Sequence, residues 1–330
     1  MIYILQTNLH YTYDINGAHL IVLFAIIIYL LIKRKDKRLK KSKHELERLV
    51  EERTAELKQK EQEITDSIRY ALRIQLSIIP TNNHVKSLLP KSMIYYRPKD
   101  IVSGDFYWVD EFDDSVLFAA VDCTGHGVPG AMMSVIGLKL LNQAVQDKRL
   151  SVPADILQYL DAGVNSTLRQ SYDPSAVKDG MDLAVCNLCY KTLTLQYAGA
   201  FNSMCLVRKN IANTYKITST RELFFGLDML EIKSDKSPIG SNINDVADVF
   251  TNHTLQLQKD DCIYIYTDGF ADQFGGPKGK KFKYNQLKEV LVLNAHLPIE
   301  EQSDCLDKTF KDWKGKQEQV DDVLVIGIKI

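Results

Sequence analysis

The chain has 330 residues, enough for one large domain with appendages or for two domains, and its 45% hydrophobic content is that of a globular protein. The formal net charge of −1 hides an asymmetry: residues 33–43 carry eight Lys or Arg against Asp36 alone, and from His44 onward 33 basic residues face 40 acidic ones. So acidic a body argues against a general nucleic-acid binder.

Residues 1–17 are polar-aromatic and hold no Lys or Arg. Ala18 to Ile32 is almost unbroken apolar and shows no polar face. Fifteen residues fall short of the ~20 that usually span a bilayer, but Lys33 and Arg34 can snorkel at its end. A signal peptide would carry its charge before the apolar run rather than after it. The expectation is a single-pass anchor at 18–32 in the inner, cytoplasmic membrane, rather than a buried core helix. The positive-inside rule then leaves 1–17 outside as a short extracytoplasmic segment and everything after it in the cytoplasm.

Residues 33–80 form the next segment. Lys33 to Ile79 contains no Pro or Gly, and Val50, Leu57, Ile64, Ala71 and Ile78 recur every seven residues. A second seam, Leu39, Leu46 and Ile74, is interrupted by Arg53, Lys60 and Ser67. This pattern predicts one long helix and an imperfect coiled coil, most simply a parallel homodimer, against the alternative of a solitary charged helix. An interrupted seam keeps two registers close in energy, so dimer register is an expected regulator of activity. Ile68 to Ile79 turns more apolar, and Pro80 stops the helix.

From residue 81 on, strand and helix signals mix. Strands are expected at Ser92–Arg97, on either side of a hairpin turn at Asp113-Asp114, and at Met181–Tyr190, Leu193–Tyr197, Met204–Arg208, Asp248–Leu257, Cys262–Tyr266 and Val323–Ile330. Helices are expected at Gly130–Gln146, Ala154–Gln170, Tyr284–Leu293 and Ile299–Trp313. Runs of strands beside paired helices point to an α+β sandwich. The six cysteines are scattered; Cys186 and Cys189 sit three apart on a strand and face opposite sides, so reduced buried thiols are the reading.

Four strand ends carry a carboxylate: Asp105 in SGDFYW, Asp122 in DCTGHG, Asp268 in YTDGF, and the Asp321-Asp322 pair before the final strand. The hairpin brings Asp105 and Asp122 together. Each Asp-Gly alone is ordinary turn chemistry. Jointly, the carboxylates repel one another unless a cation joins them, and hard cations such as Mg²⁺ or Mn²⁺ take oxygen ligands of this kind.

Arg97-Pro98, SGDFY, DCTGHG, Ser237-Pro-Ile-Gly240, YTDGF and DDVLVIGI, in that order, resemble the metal-dependent Ser/Thr protein phosphatases of the PPM or protein phosphatase 2C class, and within it the SpoIIE-type branch. The likeness runs from about Ile78 to Ile330 and implies an αββα sandwich over 81–330, two antiparallel sheets flanked by helices. It implies two Mn²⁺ or Mg²⁺ ions and a water nucleophile, with Asp105 and Asp122 central to catalysis. Asp105, Asp122, the Cys123 carbonyl, Asp268 and Asp321 would be the metal ligands, Asp322 being the less favoured of its pair. It also implies a phosphorylated signalling protein as partner, such as a STAS-type anti-anti-sigma factor. Arg97 is a candidate for substrate phosphate, with a surface arginine as the alternative.

His126 lies four residues after Asp122, where the class places a histidine at two, so a general-acid role does not transfer; a loop residue capping the next helix is equally expected. Asp182 either reaches the cluster or ends a turn. The basic, glycine-rich Gly275–Lys281 lacks a Walker ending and reads as a mobile flap beside Asp268. A catalytically silent scaffold keeping the same fold is the rival function, disfavoured by the full carboxylate set. A histidine kinase is disfavoured by the lack of ATP-binding glycine boxes after Arg53-Thr-Ala-Glu-Leu57.

Overall fold

Strand alternation decides the layers. The computed structural model describes residues 2–168, 179–209, 227–240 and 249–330, without the side chains of 2–18 and 227. In chain order the elements are α1 (Ile2–Ile78), α2 (Asn82–Leu88), β1 (Ser92–Arg97), β2 (Phe106–Phe112), β3 (Ser115–Cys123), α3 (Gly127–Asn142) running into a π-helical turn (Gln143–Asp147), and α4 (Pro153–Leu168). There follow β4 (Met181–Cys189), β5 (Thr194–Ala200), β6 (Met204–Lys209), β7 (Leu227–Ile232), β8 (His253–Gln256), β9 (Cys262–Tyr266), α5 (Gly269–Asp272), β10 (Phe274–Gly275), β11 (Lys280–Lys281), α6 (Tyr284–Asn294), α7 (Ile299–Lys314) and β12 (Val323–Lys329).

The chain divides into two units, residues 1–67 and 68–330. The first is helix. Its large apolar side chains from Leu20 to Ile32 are 42–72% exposed, and the heptad residues Leu39, Leu46, Val50, Leu57 and Ile64 are exposed as well. Intrahelical pairs such as Asp36–Lys40 and Glu56–Lys60 line it, each worth a few tenths of a kcal/mol.

In the second unit, antiparallel sheets of order β1-β12-β9-β6-β7 and β2-β3-β4-β5-β8 lie face to face. Phe118 and Ala120 of β3, Ile263 and Ile265 of β9, and Leu324, Ile326 and Ile328 of β12 fill the space between them. Their neighbours in sequence turn outward. Leu117, Ala119 and Val121 meet Leu141 of α3 and Leu157 and Leu160 of α4. Cys262, Tyr264, Val323 and Val325 meet Leu287 and Leu291 of α6 and Leu306 and Phe310 of α7. The result is the expected four-layer α+β sandwich, with helices outside both sheets. The hairpin is as expected too: Phe112 pairs with Ser115 across Asp113-Asp114, and Asp113 has a φ of 51°.

Element ends differ from the sequence reading by a few residues, and the expected strand Asp248–Leu257 shortens to β8; residue 248 lies outside the described residues. Expected helix residues 169–170 also lie outside them. Among the described residues one helical stretch, Gly127–Asp147, is long and apolar enough to cross a membrane, yet more than half of it is buried in the domain core. The described part of the N-terminal apolar run, from His19, meets Lys33 after fourteen residues. The compact unit begins before Pro80, because Gln75 and Ile79 are already buried in it.

Candidate active site

Asp105 and Asp122 face each other one step beyond the last paired residues of the β2–β3 hairpin, Phe106 and Val121. Asp105 is only 3% exposed. The Thr267 hydroxyl donates to its Oδ2 at 2.7 Å, and the Tyr96 hydroxyl donates to its backbone carbonyl at 3.0 Å. Burial, then the charge of Asp122, pushes the Asp105 carboxyl well above the usual range. Asp122 is likewise pushed well up, by burial and then by Asp268, Asp321 and Asp182, offset in part by a backbone hydrogen bond from Asp268. Asp268 is pushed up to about 6 by burial and then by Asp272 and Asp321, with Lys281 opposing. Asp321 is raised by burial, with hydrogen bonding from the Asp322 backbone opposing. Among the described residues no Lys or Arg lies within ion-pair distance of any of these four, so the fold gathers Asp105, Asp122, Asp268 and Asp321 without neutralising them.

Close backbone approach accounts for the glycines. A Cβ on Gly269 would lie 1.8 Å from the Asp322 carbonyl oxygen. The Asp268-Gly269 pair therefore reflects two strand ends pressed together, not a turn needing positive φ, and this contact seats Asp268 beside Asp321. Asp268 precedes α5 without capping it, which leaves its carboxylate uncommitted. A Cβ on Gly104 or Gly130 would collide with the Gly125 carbonyl at 2.5 or 2.2 Å, so the SGD loop, the DCTGHG loop and the start of α3 interlock. The Cys123 carbonyl oxygen would stand 3.3 Å from the same Gly104 Cβ.

The Asp321-Asp322 pair divides its work. Asp322 is buried, and its two oxygens accept the backbone N–H groups of Lys99 and Gly104 at 2.7 and 2.8 Å. It ties down the loop that carries Asp105. Among the described residues the Asp321 carboxylate accepts only the Asp322 N–H, at 2.8 Å on Oδ1, leaving Oδ2 for another partner.

Other residues fall outside this cluster. The Arg97 guanidinium is held by Gln319 at 3.1 Å and Asp307 at 3.2 Å and lies over the Phe310 ring; to meet a phosphate it would have to exchange Asp307. His126 precedes α3 without a side-chain cap, and its Nδ1 is 2.8 Å from Asp100 Oδ2. Gly275–Lys281 is a ribbon seated on α7, not a free flap: Gly276 N–H donates to the Trp313 carbonyl at 2.8 Å, and a Cβ on Gly275 would lie 1.9 Å from that oxygen.

Three contributors were not assigned from the sequence. Asp182 stands opposite Asp122 in the β3–β4 register and is pushed up to about 6 by burial and then by Asp268. Only the register reveals it. Asp322 reads in sequence as a spare ligand and serves as an anchor. Gln75, 2% exposed, donates to the Ser103 carbonyl at 2.6 Å and the Ser134 hydroxyl at 2.9 Å, and accepts from Ser103 N–H at 3.2 Å. Its spacing from Ile68, Ala71, Leu72 and Ile79 marks a buried helix face, and that signal was legible.

A two-sheet sandwich with helices outside and aspartates at the strand ends defines a phosphatase domain of the protein phosphatase 2C kind. A family model described as Stage II sporulation protein E (SpoIIE) matches residues 113–330, and the chain belongs to that family. The SiaA-PP2C domain of Pseudomonas aeruginosa is 28% identical with a TM-score of 0.68, covering 82% of this chain and 98% of its own. The RsbU and RsbW domains of a Mycobacterium tuberculosis protein match at 20% identity and TM-score 0.51, covering 73% of this chain and 60% of theirs. The phosphatase domain and regulatory fragment of SpoIIE from Bacillus subtilis match at 15% and 0.52, covering 72% of this chain and 62% of theirs. At those identities the last two establish the fold alone. No curated protein matches the chain.

Proposed function

We propose that this chain is a metal-dependent protein serine/threonine phosphatase acting on a phosphorylated signalling protein. One observation carries the reading: the buried Asp105 carboxylate is surrounded by Asp122, Asp321 and Asp322 rather than by a cation. Leaving such a group unpaired costs several kcal/mol, and a divalent ion relieves it.

The donor set fits Mn²⁺ or Mg²⁺, being all oxygen, with Asp268 not spent on capping α5 and Asp321 keeping its Oδ2. Among the described residues no three acidic, His or Cys side chains close into a ready-made shell. Mg²⁺ is commonly held by one or two carboxylates, with water completing the sphere. Asp105, Asp122, the Cys123 carbonyl, Asp268 and Asp321 would hold them, and Asp182 offers a further oxygen beside Asp122. Such ions, when bound, acidify water and neutralise phosphoryl oxygens. Thr267 and Tyr96 fix the Asp105 segment, and Asp322 holds its loop, so the oxygens keep their aim without the metal.

The full chain, assayed on an aryl phosphate and a phosphoserine protein, should turn over with Mn²⁺ and stop with EDTA. Asp122→Asn and Asp268→Asn should each abolish turnover with the fold retained. Undiminished activity in EDTA or in both variants would sink the metal mechanism.

The same reading includes the anchor at 18–32, with 81–330 as the cytoplasmic phosphatase domain, and a dimer through the exposed heptad residues. A cysteine at Thr7 should react with an impermeant thiol reagent in intact cells and one at Ser42 should not; the reverse pattern refutes the topology. A monomer in detergent at micromolar concentration refutes the dimer. A STAS-type phosphoserine domain is the proposed substrate, tested by asking which phosphoprotein accumulates when the chain is removed.

A further inference from the structure

The hairpin after Asp268 concentrates positive charge in a domain that is otherwise acidic. Lys278, Lys280, Lys281 and Lys283 fall within six residues, all exposed. Among the described residues only Lys281 of these has an ion-pair partner, Asp272, at 2.6 Å. With Pro277, Gln286 and Trp313 the four lysines line an open cavity of about 320 Å³.

The ribbon that carries the lysines is held in place. Gly276 has a φ of 65° and packs against the Trp313 ring, 2.5 Å from where its Cβ would be. Trp313 Nε1 donates to the Gln273 carbonyl at 2.9 Å, and its ring meets Phe282 edge-on at 5.1 Å. The returning strand is tied to the turn that follows Asp268: Lys283 N–H donates to the Ala271 carbonyl at 2.6 Å and Phe282 N–H to the Gln273 carbonyl at 3.0 Å. The segment that carries the basic cavity is thus joined to the turn that follows Asp268, and Trp313 lines the cavity.

A cluster of lysines without acidic partners, on a segment joined to an acidic site, attracts an anionic partner and biases its orientation. We propose that this hairpin is the docking platform for acidic side chains that flank the phosphorylated residue of the substrate protein. The proposal rests on the phosphatase reading and adds the chemistry of the substrate segment. Glu or Asp carboxylates would pair with Lys278, Lys280 and Lys283 while their methylenes lie on Trp313.

The test compares three substrates of the full chain with Mn²⁺ present: p-nitrophenyl phosphate, a phosphoserine peptide flanked by glutamates, and its glutamine-flanked counterpart. The expected result is a kcat/KM about ten-fold higher for the glutamate peptide, carried by KM and shrinking as salt is raised. In the variant Lys278→Glu, Lys280→Glu, Lys283→Glu the preference should invert, with the glutamine-flanked peptide becoming the better of the two. Misfolding cannot produce that inversion. Equal rates on the two peptides, with p-nitrophenyl phosphate turned over, overturn the docking platform and leave the phosphatase reading standing. No turnover of any of the three overturns the phosphatase reading and this one with it. A triple variant that keeps the peptide preference but loses salt-sensitive binding to phosphatidylserine vesicles assigns the hairpin to a lipid surface and also overturns it.

Discussion

Asp261 and Asp105 are two of the four aspartates buried almost completely among the described residues, and their surroundings are opposite. Asp261, 1% exposed, precedes β9 and receives the Arg208 guanidinium through two bonds, Nε to Oδ1 at 2.9 Å and Nη2 to Oδ2 at 2.6 Å. Asp105 receives one hydroxyl, from Thr267, and faces other carboxylates. The first is a finished structural pair. The second is a demand for charge that the chain itself does not meet. The same contrast divides the two ends of the β2–β3 hairpin: at the turn, Asp113 and Asp114 are exposed and each is paired, with Arg149 and Lys191.

The largest effect should fall on the unpaired set. Asp122→Asn or Asp268→Asn should lower phosphatase turnover by at least roughly a hundred-fold, because even the outer partners of metal ligands cost about 10–100-fold, and should leave the melting temperature unchanged or higher. A variant that keeps half its activity would show that these carboxylates are no more needed for turnover than the paired ones. Asp261→Ala should do the converse. It removes both charge-assisted bonds between Asp261 and Arg208 and should cost about 1.5–3 kcal/mol of stability in urea titration, with turnover per folded molecule retained.

Gln75→Leu should cost about 1–3 kcal/mol by leaving polar atoms of Ser103 and Ser134 without their buried partner. It should also raise the Mn²⁺ concentration needed for half-maximal activity, since Ser103 belongs to the Asp105 loop. A stability loss with unchanged metal requirement would make Gln75 merely structural.

The pH response sharpens the comparison further. In an unfolded chain an aspartate titrates near about 4, whereas Asp182 and Asp268 are held at about 6 in the fold. The folded state therefore binds their protons more tightly. The stability they contribute is fully present below about 4 and is lost as pH rises through about 6. The metal-free chain should lose several degrees of melting temperature over that range, and Asp182→Asn together with Asp268→Asn should flatten the profile; an unaltered slope would contradict the assignment. The smallest effect belongs to the exposed turn pair. Asp113→Asn should change stability by less than about 1 kcal/mol.

Local pattern alone settled a good deal. Period-two alternation and Asp113-Asp114 placed the hairpin, and with it the approach of Asp105 to Asp122, because a two-residue turn fixes the register of everything that follows it. Pro80 ended the long helix. The aspartates at strand ends, in their order, pointed to the family. Non-local contact decided the rest. Asp182 faces Asp122 only because β4 pairs with β3 in one register. Gly269 is glycine because the Asp322 carbonyl, 53 positions away in sequence, leaves no room for a Cβ. Which of Asp321 and Asp322 stays uncommitted depends on the N–H groups of Lys99 and Gly104, which the later strand meets only in the folded state. Sequence spacing carries the geometry of one helix or one hairpin. The packing of one strand end against another is set by long-range pairing, and only the tertiary structure contains it.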